Sequence, residues 1–150
     1  MLARTVRIMK STRIALLVSV VSLFAASCSS EGNVFALGVG DCFGGQAEGE
    51  ISDVPIVECS EPHESEVYSV WDVEGESLPI GTSSFEEGCL ERFEAAIGAP
   101  FESSVVYSSI IFPTSDSWDQ GDREVICYGF EVDEEFNPIK VTGSILDSGR

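Results

Sequence analysis

Short apolar or alternating runs dominate the chain from residue 37 onward. They are rich in β-branched and aromatic residues, and turn-forming residues separate them, which is typical of short β-strands joined by turns. The runs that predict strands cover residues 37–43, 54–59, 66–73, 104–112, 124–132 and 141–146. The pattern therefore predicts a sheet of short strands.

One segment has the period of a helix instead. An apolar side chain recurs at every fourth position, which places an apolar stripe on one helix face. The stripe consists of Phe85, Cys89, Phe93 and Ile97. Ser84 and Glu87 form a capping-box pattern, and Gly98 followed by Pro100 marks the end, so we predict a helix over about residues 83–98. Because this stripe must be buried, we expect an α+β fold with one amphipathic helix packed on a mostly antiparallel sheet.

The N-terminal region has the pattern of an export signal. Basic residues occur at Arg4, Arg7, Lys10 and Arg13. An apolar run from Ile14 to Ala26 follows them. A helix that crosses a bilayer needs about 20 apolar residues, so this run is too short to span and fits the core of a signal peptide. We predict that residues 1–27 are removed.

Cys28 is the predicted lipidation site. The small residues Ala25, Ala26 and Ser27 directly precede it. This resembles the lipobox of bacterial lipoproteins, whose cysteine carries diacylglycerol and becomes the first residue, although Ala25 stands where that pattern prefers leucine. The alternative is an ordinary signal peptide with Cys28 as a free thiol. Lipidation implies a tether over residues 28–36 and a location on the extracytoplasmic side of the cell membrane. The length of the rest, residues 37–150, predicts a single domain.

The cysteine count agrees with a lipid on Cys28. Five cysteines in an exported chain leave one unpaired, and removing Cys28 leaves an even set. Cys42, Cys59, Cys89 and Cys127 allow three pairings, among which the sequence does not decide. We favour Cys42–Cys59, between neighbouring strands, and Cys89–Cys127, between the buried helix face and a late strand. The chain has no C-x-x-C pair and one histidine, so we expect neither a metal site nor another cofactor.

Charge is distributed very unevenly along the chain. Four of the eight basic residues precede the apolar run, whereas all 26 acidic residues lie at or after Glu31. Such acidity opposes approach to phosphate backbones, so we do not expect a nucleic-acid partner. It also repels anionic lipid headgroups, so membrane attachment has to be covalent or hydrophobic. A solvated acidic surface is one interpretation, and a specific cation or basic-protein partner is the other.

Three segments occur in an order that resembles a known family. They are V-G-D-C-F at 39–43, V-x-C-S-x-P-H-x-x-E-V at 57–67 and W-x-x-G-D-R-x-V-x-C at 118–127. Together they resemble the septum formation-related domain of actinobacterial membrane proteins and lipoproteins, in which a cysteine-bearing helix lies between the second and third segments, as Cys89 does here. The resemblance covers about residues 37–132. It implies a cell-envelope setting and a link to cell division, but no established reaction.

His63 and Glu66 in the second segment are candidate binding residues. His63 is the only histidine, and the carboxylates around it would suit a proton carrier or a ligand. No G-x-S-x-G motif supplies a nucleophile, and the cysteines are assigned to bridges. A structural role is the alternative, in which Pro62 shapes a turn and the imidazole bonds a carboxylate or a backbone group.

The third segment adds Trp118 and Arg123 as candidate binding residues. Four carboxylates surround Gly121, at Asp116, Asp119, Asp122 and Glu124. Their carboxylate oxygens could coordinate calcium. However, their spacing is not that of a D-x-D-x-D-G loop, and aspartate and glycine are also common in turns. We expect Arg123 to form an ion pair with one of these acids, with Trp118 as apolar cover.

The leading hypothesis is a non-catalytic, lipid-anchored envelope domain that binds another envelope protein or a cell-wall component. Export, two disulfides and the family resemblance motivate it. An acidic module that binds cations or is adapted to salt is the second hypothesis, based on charge and on the four carboxylates around Gly121. An envelope hydrolase that uses His63 is the third.

Overall fold

A computed structural model describes residues 30–33, 36–44 and 53–150 of the chain. The predicted signal peptide and the predicted lipidation site at Cys28 lie outside these ranges. Within them, no helix is both long enough and apolar enough to cross a bilayer.

A six-stranded sheet forms the centre of the molecule. Its strands are β1 (Ser30–Asn33), β2 (Cys42–Phe43), β3 (Asp53–Val57), β4 (Ser65–Asp72), β5 (Tyr107–Ile111) and β6 (Glu124–Phe130). The spatial order is β1-β3-β2-β4-β6-β5, and every neighbouring pair is antiparallel. The predicted antiparallel sheet is confirmed, and β1 and β5 are its two edges.

Two predicted strands are shorter than expected or do not form. The run at 37–43 contributes only Cys42–Phe43, because residues 38–41 turn and the Gly38 amide donates to the Asp41 carboxylate at 2.8 Å. The run at 141–146 makes a single backbone bridge, at Val141, because Gly143 adopts a φ of 86° and interrupts the extended conformation. Strand β1 falls within the tether predicted for residues 28–36.

The predicted helix is present as α1 (Ser83–Ile97). Gly98 ends it in the left-handed conformation, as expected from the sequence. The capping box predicted at Ser84 is wrong, because Ser84 lies inside the first turn and the N-cap is Thr82. The Thr82 hydroxyl donates to the Glu86 carboxylate at 2.8 Å rather than capping a backbone amide.

A second, five-residue helix was not predicted. It is α2 (Ser115–Asp119), and Thr114 is its N-cap. The Thr114 hydroxyl accepts from the Ser117 amide at 3.1 Å, and the Ser117 hydroxyl accepts from the Thr114 amide at 3.0 Å. This reciprocal capping box satisfies two backbone donors, and the helix buries Trp118 just before β6.

Apolar side chains fill both faces of the sheet. Alternation along β6 sends Val125 and Cys127 to one face and Ile126 and Tyr128 to the other. The buried cluster under α1 contains Tyr68, Phe85, Cys89, Phe93, Ile97, Val106, Val125, Cys127 and Ile145. The cluster on the opposite face contains Leu37, Phe43, Val54, Val67, Ile126 and Tyr128. The α+β prediction is therefore confirmed, with the helix covering one face.

Both favoured disulfides are present. Cys89–Cys127 joins the buried face of α1 to β6, with the two Cα atoms 5.6 Å apart. Cys42–Cys59 joins β2 to the turn after β3, with a Cα separation of 5.2 Å. The bridges span 38 and 17 positions of the chain, and loop-closure entropy assigns each about 3 to 4 kcal/mol of stabilisation.

Two glycines allow close packing that any side chain would obstruct. A Cβ at Gly88 of α1 would overlap the ring of Trp71. In β6, a Cβ at Gly129 would overlap the side chains of Ile145 and Val106. The first glycine lets α1 approach β4, and the second lets the C-terminal segment, defined here as residues 131–150, pack on β6.

Candidate functional site

Three polar residues are buried where β4 begins. His63, Ser65 and Glu66 are each 1% exposed, and we call them the buried polar cluster. A carboxylate oxygen of Glu66 lies within 4.8 Å of the sulfurs of Cys42 and Cys59. These sulfurs are bonded to each other and offer no thiolate, so the group cannot bind a metal while the disulfide is intact.

Glu66 holds the C-terminal segment against the sheet. One carboxylate oxygen accepts from the Ser144 hydroxyl at 2.6 Å, and the other accepts from the Ile145 amide at 2.6 Å. The backbones of His63 and Val141 also exchange two hydrogen bonds, at 3.0 and 2.8 Å. A carboxylate buried this deeply requires hydrogen-bond partners, and the C-terminal segment supplies them to Glu66.

The His63 ring bonds the backbone rather than a carboxylate. Its Nδ1 lies 2.9 Å from the carbonyl oxygen of Glu61, which assigns the proton to Nδ1 as donor. The Nε2 atom is buried and has no hydrogen-bond partner among the described residues. The backbone bond is one of the two structural partners that the sequence suggested for this imidazole.

Trp118 and Arg123 lie together, as their adjacent motif positions suggested. The guanidinium carbon of Arg123 is 3.6 Å from the centroid of the Trp118 ring, which is a close cation–π contact. Its Nη1 donates to the backbone carbonyls of Trp118 and Asp122 at 2.8 and 2.6 Å. The predicted ion pair was wrong: stacking and two carbonyls occupy the guanidinium, and Arg123 pairs with no carboxylate in the described ranges.

An open pocket of about 440 Å³ lies between α2 and the start of β6. Ser117, Gln120, Asp122 and Glu124 line it, and we call it the acidic pocket. Partial burial raises the pKa of the Glu124 carboxyl, and the negative charges of Asp122 and Asp72 raise it further. The pocket thus disfavours additional negative charge and favours a positively charged group.

The four carboxylates around Gly121 do not converge. Asp122 and Glu124 line the acidic pocket, whereas Asp116 and Asp119 are exposed on α2. No three of these carboxylates bring their oxygens within 4.8 Å of one another in the part of the chain that the structure describes. Asp122 instead accepts from the Glu124 amide at 3.0 Å, so it orders the turn into β6.

A surface around β5 was missed by the sequence analysis. Most of the exposed large apolar side chains of the described residues lie on or beside this strand. We define the β5 patch as Leu90, Val105, Tyr107, Phe112 and Phe136, of which Phe136 is the most exposed at 72%. A signal was present: residues 103–115 carry no charge, although the surrounding chain is strongly acidic.

Comparison with known proteins decides the family. The sequence model of the septum formation family matches residues 39–149 of this chain. The chain belongs to the septum formation family. No curated protein and no solved structure matches it. The match extends past the 37–132 region where the sequence resembled this family, so the family domain includes the C-terminal segment that Glu66 holds.

The region that matches the septum formation family contains all of the candidate binding residues. The matched residues include both disulfides, the buried polar cluster, and the Trp118–Arg123 pair. The buried polar cluster and the Trp118–Arg123 pair are built from separate motifs and lie in different parts of the fold. His63 and Glu66 are internal, whereas Arg123 is half-buried and the acidic pocket is open to the surface.

Proposed function

We propose that this septum formation protein is a non-catalytic, lipid-anchored envelope domain that binds another envelope protein or a cell-wall component. The observation that carries the proposal is the burial of the two side chains in the second motif that could take part in acid–base chemistry. His63 and Glu66 are 1% exposed, and Glu66 bonds the C-terminal segment. A substrate in solution has no access to either side chain in this arrangement, which favours recognition at the surface over chemistry inside.

The exposed charge indicates the kind of partner. Beyond residue 30 the chain has four basic residues against 26 acidic ones. Three of the four are engaged locally: Arg92 and Arg123 lie over tryptophan rings, and Arg150 pairs with Glu131 at 2.8 Å. An acidic surface with so few available cations attracts positively charged partners and repels acidic ones.

The lipid on Cys28 is the part of the proposal that supplies location. Two acyl chains hold a protein firmly on a membrane, whereas one holds it only marginally. Strand β1 begins at Ser30, so lipidation of Cys28 would bring this edge of the sheet next to the bilayer. The β5 edge, at the other end of the strand order, would then point away from the membrane.

Mass spectrometry of the native protein tests the anchor. Intact mass of membrane-extracted protein should show an N-terminal Cys28 that carries acyl chains. The Cys28→Ser variant should be released from membranes or keep its leader, while its folded domain keeps both disulfides. An unmodified Cys28 in native material would end the argument for a lipid anchor.

Crosslinking in living cells tests the binding role. The wild-type protein should crosslink reproducibly to one envelope component. If the Cys28→Ser variant is released from membranes, it should lose that crosslink. If wild-type protein yields only abundant neighbours, the binding proposal fails. A calcium titration that releases heat and raises the melting temperature would instead favour the cation-binding module.

A further inference from the structure

Strand β5 is an open edge of the sheet. It pairs with β6 on one side, and no backbone group of the described residues bonds its other side. Native proteins usually protect such an edge with charged residues, proline or a bulge. The five residues of β5 include none of these, and the bulge in the sheet lies in β4 between Val67 and Ser69.

The bonding pattern identifies which groups face outward. Val67 of β4 exchanges backbone hydrogen bonds with residues 40 and 41, so its backbone groups face away from β6. The backbone N–H and C=O of Tyr128, which lies opposite Val67, therefore point towards β5, where Tyr128 pairs with Ser109. Because antiparallel bonds alternate, the N–H and C=O groups of Ser108 and Ile110 point to the open side.

Apolar surface flanks this edge on both faces of the sheet. On the α1 side, a cavity of about 200 Å³ is lined by Glu86, Leu90, Phe101, Ser108, Ser109 and Ile110. On the opposite side, the Tyr107 ring lies 6.0 Å from Phe130 and 6.4 Å from Phe136, centroid to centroid. Successive side chains of an added strand point to opposite faces, so each face offers them an apolar contact.

We propose that the β5 edge binds an extended peptide segment of another envelope protein by strand addition. The segment carries apolar residues together with lysine or arginine. This inference rests on the proposed binding role and names the surface that performs it. Backbone bonds to Ser108 and Ile110 give affinity, and the β5 patch gives specificity for the side chains.

Charge favours a basic segment over a second copy of the chain. Two copies paired through β5 would bring together two strongly acidic domains, which repel each other. A basic segment in the cavity meets Glu86 on its wall. Glu102 and Asp116 flank the uncharged stretch in the sequence and add to the negative charge of this part of the chain. Attraction to Glu86 favours a lysine or arginine of the segment beside this cavity.

Binding of a defined probe to the full chain in neutral detergent micelles tests the inference. The probe is a blocked, fluorescent peptide of alternating valine and lysine, and anisotropy gives its Kd. Leu90→Lys should weaken binding by about tenfold or more, because it replaces an apolar contact by a repelled charge. The matched control is Ile80→Lys, which makes the same charge change at a fully exposed residue outside the β5 patch.

Hydrogen exchange supplies the second measurement. The probe should slow exchange of the amides of Ser108 and Ile110, and a peptide with prolines in place of alternate valines should not. Equal weakening by Leu90→Lys and Ile80→Lys, or protection elsewhere, would overturn the inference. So would amides of Ser108 and Ile110 that are already protected in the free protein, because a segment of the chain itself would then cover the edge.

The two proposals fail in distinguishable ways. If the crosslinked partner contacts a surface away from β5, the binding role stands and the strand-addition inference falls. If cells yield no specific crosslink, the binding role itself falls, whatever the peptide does. Support for both requires that Leu90→Lys, but not Ile80→Lys, removes the cellular crosslink.

Discussion

Replacement of Glu66 by leucine should release the C-terminal segment from the sheet. Leucine fills a similar space but accepts no hydrogen bond. The Ser144 hydroxyl and the Ile145 amide, each 2.6 Å from a Glu66 oxygen, then lose their acceptor. The amide is buried, so water cannot replace the lost partner without opening the packing.

The expected cost follows from the two bonds. A hydrogen bond to a charged group contributes about 1.5 to 3 kcal/mol, so loss of both should lower the free energy of unfolding by about 3 to 6 kcal/mol. Glu66→Gln is the matched control. Its amide oxygen can still accept from Ile145, and the Ser144 hydroxyl can rotate to accept from its NH₂ group, so we expect a loss of about 1 to 2 kcal/mol.

Urea unfolding at neutral pH measures the global effect, and hydrogen exchange at Ile145 measures local release. We expect Glu66→Leu to speed exchange at Ile145 more than at Tyr128 in the centre of the sheet. If the leucine variant unfolds within about 0.5 kcal/mol of wild type and Ile145 stays protected, Glu66 does not hold the segment. That result would make packing of the Ile145 side chain the main contact.

Three further predictions concern titration and packing. Burial raises the pKa of Tyr68 to about 12, although the hydrogen bond to Ser108 opposes this shift, so the folded state favours the neutral phenol. The free energy of unfolding therefore has its full value below about pH 10 and falls by about 3 kcal/mol as the pH rises to about 12. Urea unfolding over this range should show the fall, and Tyr68→Phe should remove it. The pKa of Glu124 is raised, which means that its ionised form opposes folding. Glu124→Gln should therefore raise the melting temperature at neutral pH. It should make no difference in acid, because the wild-type carboxyl is protonated there. Gly88→Ala should destabilise by about 1 to 3 kcal/mol because the Trp71 ring must move, and a change in tryptophan fluorescence would report that movement; unchanged stability and fluorescence would show that α1 can shift instead.

Local periodicity predicted much of this fold. The four-residue spacing of Phe85, Cys89, Phe93 and Ile97 identified both α1 and its buried face, and all four side chains are buried. The alternation in β6 placed Cys127 beneath that face. Together these patterns favoured Cys89–Cys127, and the structure contains that bridge. Where a pattern repeats over several turns, few alternative arrangements bury it.

Signals that depend on single residues were less reliable. Ser84 and Glu87 match a capping box, but the N-cap of α1 is Thr82, two residues earlier, because helix ends are decided by a few competing hydrogen bonds. Arg123 was expected to pair with an acid in an acidic neighbourhood. The ring of Trp118 and two carbonyls bind it instead, and sequence distance does not reveal such geometry.

The candidate site was predicted least well, since it depends on contacts between distant parts of the chain. The motif identified Glu66 as notable, but its partners Ser144 and Ile145 lie 78 and 79 positions away. The β5 patch joins residues from α1, β5 and the C-terminal segment, such as Leu90, Tyr107 and Phe136. No local pattern could have brought them together.

The missing side chain at Gly129 has a consequence for sequence variation in the family. Ile145 and Val106 occupy the space that a Cβ would take, so these three positions share one volume. A methyl group at position 129 would overlap both side chains, so it is tolerable only if both move aside or become smaller at the same time. Substitutions there should be epistatic, and related sequences should show compensating changes at these positions rather than independent drift.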